Sequence, residues 1–293
     1  MREILEKIAE VDYYVRWYSS HHDLGIWPSR QVGGASEFEA ISEYRLGDNP
    51  RSINWSATAR TGGQHILKNT RLTDANIAVF LVVDLSHSMD FGTVRVTKRR
   101  LAAEISAILA HAAWRCHDRV GFIGYGSQVE IQWPLRNPKD YRLLIPQKVL
   151  ETRSHGNGGG GGLARALSGL PAKRSLVFLI SDFQEELEEI ERVLKPVALL
   201  HDVVSLVIWD PREKVLPKRW CIAALRDLET GRRRTIWLGG GRRKAAFQKR
   251  AEAKEQSLKA LFQRFSIDAL WINQETDYVR EIGRLFLARR RVH

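Results

Sequence analysis

The sequence predicts an α/β fold: a doubly wound, mostly parallel sheet that carries a small β-rich appendage. Three observations predict it. From residue 75 onward, short apolar runs alternate with amphipathic stretches of helical spacing, the pattern of successive strand–helix units. The runs Val79–Val83, Val120–Tyr125, Leu176–Ile180 and Val203–Trp209 are apolar with little alternation, as strands covered on both faces are. Two stretches, 36–72 and 220–239, break this rhythm with β-flavoured, polar or turn-rich sequence and predict the appendage.

Taken in order, residues 1–20 place Ile4, Leu5, Ile8, Val11, Val15 and Trp17 at helical spacing. Residues 21–35, with Gly25, Pro28, Gly33 and Gly34, read as a loop. The polar segment 36–72 contains a Gly47-Asp48-Asn49-Pro50 turn signal. The strand at 77–84 is followed by a helix at 96–117, with Leu101, Ile105, Ile108, Leu109, Ala112 and Ala113 on its apolar side. After the strand at 120–125, Val129–Trp133 reads as a further strand turned by Gly126-Ser127, and 138–151 as a helix. A glycine run, Gly156 to Gly162 broken by Asn157, predicts a mobile loop ahead of a short helix at 163–170.

A strand at 176–180 ends at Ser181-Asp182, and the helix at 185–197 starts with acids that suit its positive end. A strand at 203–209 precedes a hairpin, 221–225 with 235–238 about Glu229-Thr230-Gly231. A charged helix at 242–264, a strand at 267–272 and a helix at 276–291 close the chain. The expected organisation is an N-terminal helix and loop (1–35), an appendage (36–72 with 218–240) and a main domain (73–217 with 241–293).

Composition narrows the function classes. At 293 residues and 44% hydrophobic content, the chain can build a full core. No apolar stretch is long enough to span a bilayer, so no membrane span is expected. The first residues carry Glu3, Glu6 and Lys7 and no apolar run, unlike a secretory leader. Cys116 and Cys221 make neither a disulfide framework nor a zinc knuckle, which points to the reducing cytoplasm. The net charge of +12 is clustered at Lys98-Arg99-Arg100, Arg232-Arg233-Arg234, Arg242-Arg243-Lys244 and Arg289-Arg290-Arg291. These clusters lie on different elements without interleaved stacking aromatics. Solvated faces and an acidic protein partner are therefore expected ahead of nucleic acid.

The chemistry gathers at strand ends, where open α/β sheets bind ligands. Asp84, Ser86 and Ser88 form D-x-S-x-S directly after a buried strand, all hard oxygen donors suited to Mg²⁺ or Mn²⁺. Asp182 stands at the end of another buried strand; helix capping is its competing role. Ser86 and His87 are neighbours in sequence and point apart, a poor nucleophile–base pair. A metal-dependent hydrolase built on Asp84 and Asp182 lacks a visible general base or second metal set.

The D-x-S-x-S turn resembles the metal-ion-dependent adhesion site of von Willebrand factor A domains, a Rossmann-like fold. That resemblance implies Asp84, Ser86, Ser88 and Asp182 as metal ligands, partly through water. It also implies a threonine ligand ahead of a short helix, and counting back from Ala166-Leu167 puts that position on Gly161, which has no donor.

A second resemblance covers more of the chain. Tyr44-Arg45-Leu46-Gly47-Asp48-Asn49-Pro50-Arg51-Ser52-Ile53-Asn54-Trp55-Ser56-Ala57-Thr58-Ala59-Arg60 is similar to the hallmark of the bacterial domain-of-unknown-function 58 family, upstream of a von Willebrand A-like half. It implies a non-enzymatic, cytoplasmic adaptor for a MoxR-type AAA+ ATPase or its client. Arg45, Asp48, Arg51, Trp55 and Arg60 are its candidate partner-binding residues. An internal ion-pair lattice for the charged members, with Trp55 in the core, is the competing expectation. A nucleic-acid-binding basic protein, and a module whose metal site is vestigial, stand as alternatives.

Overall fold

The computed structural model describes residues 38–43, 54–61, 65–72, 78–93, 96–115, 118–137, 139–154, 161–214, 222–226, 233–237 and 241–291. The predicted helix at 1–20 and most of the glycine run lie outside them. The chain divides into two compact units, residues 30–76 and residues 1–29 with 77–293.

In the smaller unit, β1 (Phe38–Glu43) pairs antiparallel with β2 (Leu67–Leu72), Phe38 standing opposite Leu72. Between them lies α1 (Trp55–Arg60), a helix where β structure was expected. The reason is local. Asn54 caps it, its side chain accepting from the Ala57 amide at 2.9 Å, and Ala57 and Ala59 favour the helix. Ala57 and Thr58 face inward, and the Thr58 hydroxyl accepts from the Leu67 amide at 3.0 Å. Trp55, for which the core was the competing expectation, is 69% exposed at the first position of α1.

The larger unit is built on a six-stranded sheet. Its strands are β3 (Ala78–Asp84), β4 (Arg119–Tyr125), β5 (Val129–Arg136), β6 (Leu176–Ser181), β7 (Asp202–Ile208) and, last in sequence, Asp268–Ile272. The helices are α2 (Lys98–Arg115), α3 (Tyr141–Glu151), α4 (Gly162–Ser168), α5 (Leu187–Leu200) and α6 (Pro211–Lys214). A separate antiparallel hairpin of β8 (Ile222–Arg226) and β9 (Arg233–Trp237) leads to α7 (Gly241–Arg264), β10 (Asp268–Ile272) and α8 (Tyr278–Arg291). The order across the sheet is β10-β7-β6-β3-β4-β5, parallel except for the antiparallel edge strand β5. This is the predicted doubly wound, mostly parallel architecture.

Alternation along β3 shows why the strand reads as continuously apolar. Val79, Leu81 and Val83 face a core completed by Leu101, Ile105 and Leu109 of α2, Ile145 of α3 and Phe286 of α8. Phe80 and Val82 face the opposite core, built with Leu163 of α4, Ile190 of α5 and Phe262 of α7. Each face buries its own apolar set, so no polar alternation survives in the central strands. All parallel strands point the same way, which brings the ends of β3, β4, β6 and β7 to one edge.

Candidate functional site

Asp84 closes β3 at that edge and is 2% exposed. The ladders set its neighbours: Tyr125, the last residue of β4, lies directly opposite, and Ser181, the last of β6, follows the Val83–Ile180 pair on the other side. One Asp84 carboxylate oxygen accepts from the Ser181 hydroxyl at 2.7 Å, the other from the Ser86 amide at 2.8 Å. Beyond Ser86 the chain makes a single 3₁₀ turn, His87–Asp90, instead of staying extended. That turn brings the Ser86 and Ser88 hydroxyls to 2.9 Å of each other. The two hydroxyls meet through a tight turn rather than along an extended segment.

Asp182, one residue past β6, is 7% exposed. It does not cap α5, whose N-cap is Glu186. Its Oδ2 instead accepts from the Lys98 ammonium at 2.6 Å, and Glu213 of α6 is the second carboxylate on Lys98. Lys98 is wholly buried and Arg99 nearly so, which corrects the expectation that the Lys98-Arg99-Arg100 cluster is a solvated face. Helical spacing explains it: Lys98 precedes Leu101 and Ala102 on the inward stripe of α2. Arg99 holds the turn that follows Asp84. Its guanidinium donates to the Leu85 carbonyl at 2.9 Å, the Ser86 carbonyl at 3.2 Å and the Thr152 carbonyl at 3.0 Å, and pairs with Asp90 at 2.5 Å.

The site is rich in oxygen and short of positive charge. Burial and the nearby Asp182 charge push the Asp84 carboxyl up to about 6, against hydrogen bonds from Ser86 and Ser181 that favour its ionised form. Burial and the Asp84 charge push Glu185 up to about 8. Burial also pushes the Tyr125 phenol well above its ordinary value. For Lys98, burial works against the charged form, and the Asp182 and Glu213 carboxylates outweigh it, so its pKa lies above the ordinary value. Among the described residues, Asp182 Oδ1, Glu185 Oε2 and the Tyr125 hydroxyl are sealed from solvent without a hydrogen-bond partner. Orphaned oxygens at the strand edge that also carries Ser86 and Ser88 are donors of the kind a hard divalent cation takes. No group of three or more His, Cys, Asp and Glu side chains suited to an ion occurs among the described residues. A cation here would therefore draw on Ser86 and Ser88 as much as on Asp84 and Asp182.

Gly161 stands at the N-cap of α4 with φ of 103°, and a Cβ there would meet nothing within 4 Å. The left-handed backbone, not lack of room, disfavours threonine at this position. Next to it, a Cβ on Gly162 would lie 1.8 Å from the Gly126 carbonyl oxygen, so glycine lets α4 start against the β4–β5 loop.

Residues 40–257 match the model of the family described as "Protein of unknown function DUF58". The chain belongs to this family. The uncharacterized protein Rv1480 of Mycobacterium tuberculosis is 27% identical over 271 residues, covering 92% of this chain and 83% of that protein; the uncharacterized protein Mb1516 of Mycobacterium bovis matches equally. Among solved structures, the conserved hypothetical protein BatB from Bacteroides thetaiotaomicron overlays with a TM-score of 0.49 at 13% identity, over 73% of this chain and 99% of that one. The SpRpn10 VWA domain overlays with a TM-score of 0.38 at 13% identity, over 72% and 95%.

Of the DUF58 hallmark residues named as partner-binding candidates, Arg45, Asp48 and Arg51 lie outside the described residues. Trp55 and Arg60 are exposed at the two ends of α1. Sequence reasoning missed Lys98, Glu185, Ser181 and Tyr125. The strand-end positions of Ser181 and Tyr125 are the local signals that could have found those two; the pairing of Lys98 with Asp182 spans 84 positions and has none. No helix among the described residues is long and apolar enough to cross a membrane.

Proposed function

We propose that this DUF58 protein is a non-enzymatic, cytoplasmic adaptor that grips a protein partner through a divalent cation at the carboxyl edge of its sheet. The cation would be Mg²⁺ or Mn²⁺, held by Asp84, Ser86, Ser88 and Asp182, partly through water. The observation that carries this reading is the buried, partnerless Asp182 Oδ1 beside the raised Asp84 carboxyl and the paired Ser86 and Ser88 hydroxyls. An ion at this place supplies a positive centre with an open coordination position, which a partner's carboxylate fills. The resemblance of the hallmark segment suggests a MoxR-type AAA+ ATPase or its client as that partner.

Titration calorimetry with Mg²⁺ and with Mn²⁺ tests the site. Wild type is expected to give saturable heat and Asp84→Ala none; a wild type without heat removes the metal from the reading. Co-purification with the ATPase, with and without Mg²⁺, then tests the partner.

A specific observation favours a second reading. Lys98 already neutralises one oxygen of Asp182 from inside the core, and Gly161 offers no donor. On that reading the ammonium has taken over the ion's structural role, and the partner binds without metal.

A further inference from the structure

The helix α7 is longer than the sheet it covers. Its 24 residues extend about 36 Å, whereas the seven residues of β7 span roughly 23 Å. It precedes β10, so it descends from the carboxyl edge toward the amino edge. Lys254 fixes the height of that edge on the helix, its ammonium donating to the Gln184 carbonyl at 2.9 Å, two residues past Asp182. The thirteen residues from 241 to 253 therefore rise about 20 Å past the edge, on the side of the candidate site.

One stripe of α7 changes character at this height. Leu258, Leu261 and Phe262 are buried in the core. The same stripe continues upward, at steps of three and four, through Lys254, Arg250 and Phe247. Every residue from 245 to 250 is exposed, and Phe247 is 38% exposed. The acids of the helix lie off this stripe: Glu252 accepts from Gln248 at 2.8 Å, and Glu255 pairs with Lys259 at 2.7 Å. Residues 222–250 carry nine Lys and Arg against Asp227 and Glu229, more than half of the net charge of +12.

We propose that the overhanging, basic part of α7 is a docking rail for an acidic protein segment whose end reaches the cation site. The proposal rests on the adaptor reading above and adds the chemistry of the partner. Charge complementarity names the occupant. An extended peptide of about six residues covers 20 Å, so acids along it meet Arg250 and Lys254 before one carboxylate reaches the cation at Asp84 and Asp182. A phosphodiester chain is the competing occupant, and the oligonucleotide arm of the test below separates the two.

Fluorescence anisotropy on the full chain, with a labelled oligo-aspartate of about ten residues in Mg²⁺ buffer, tests this. Wild type is expected to bind, more weakly as salt rises, and Arg250→Glu to bind about tenfold more weakly. Arg284→Glu on α8, across the sheet, makes the same charge change and is expected to leave binding within about twofold of wild type. No peptide binding by wild type, an unchanged affinity in Arg250→Glu, or equal losses in both variants overturns the rail. A labelled single-stranded oligonucleotide that binds more tightly and displaces the peptide overturns the choice of partner. If Mg²⁺ gives no heat yet Arg250→Glu still weakens binding, the metal reading fails and the rail stands. If the heat is present and Arg250→Glu changes nothing, the rail fails and the metal reading stands.

Discussion

At the scale of single residues, Lys98 decides how Asp182 is presented. A fully buried ammonium is tolerated only with counter-charges, and Asp182 and Glu213 supply them. Removing one partner of such a set leaves buried charge uncompensated. Lys98→Met is therefore expected to lower stability by roughly 3–5 kcal/mol in urea unfolding. The double variant Lys98→Met/Asp182→Asn is expected to recover part of that loss; a Lys98→Met protein as stable as wild type overturns the argument. Asp84 and Asp182 were legible in the sequence because each directly follows a run of strand-type residues. Lys98 was not, since its ion pair joins residues 84 positions apart. The core was the competing expectation for Trp55 because bulky apolar residues are usually buried, yet it stands exposed at the start of α1.

At the scale of elements, the loop that follows the 3₁₀ turn His87–Asp90 is latched to the end of β7. Asp210, with no exposed surface, accepts from the Thr93 amide at 2.8 Å, the Thr93 hydroxyl at 2.5 Å, the Arg212 amide at 2.8 Å and the Gln274 amide at 3.0 Å. Burial alone would raise its carboxyl, yet these donors, Thr93 foremost, hold it below the ordinary value. Asp210→Ala leaves several donors unsatisfied and is expected to cost about 2–4 kcal/mol. Thermal unfolding reads the loss, and hydrogen exchange at the Thr93 amide is expected to quicken. An unchanged exchange rate at Thr93 would show that the latch does not hold the loop. Apart from the short helix α6 and the 3₁₀ turn at His87–Asp90, which were not expected, the described strands and helices of the large unit follow the sequence to within a few residues at each end, because continuous apolar runs and 3.6-residue periodicity are local signals. The helix α1 escaped for the same reason in reverse. It is a turn and a half long, and its cap and two alanines carry less signal than the β-forming residues around them.

At the scale of the whole molecule, the carboxyl edge collects acids that the fold forces together, and this sets a pH dependence. Burial and neighbouring charge push Asp84 up to about 6 from its ordinary 3.8, and Glu185 up to about 8 from its ordinary 4.5. Between each pair of values the folded chain binds more protons than the unfolded one. Stability of the metal-free protein is therefore expected to fall as pH rises from about 4 to 8, with the full penalty present above that range. On the proposed metal reading a divalent ion would offset the same crowding, so the rise in melting temperature on adding Mg²⁺ is expected to be larger at pH 8 than at pH 5. A Mg²⁺ effect independent of pH counts against ion binding at these carboxylates. The sequence by itself determined the α/β class, the strand ends on which Asp84 and Asp182 stand, and the serines beside them, since all of these are written in local periodicity and spacing. Only the tertiary structure decided that Lys98 reaches Asp182, that Tyr125 and Ser181 flank Asp84, and that α7 overhangs the edge. Those depend on strand order, register and relative length, which bring together residues that no local pattern links.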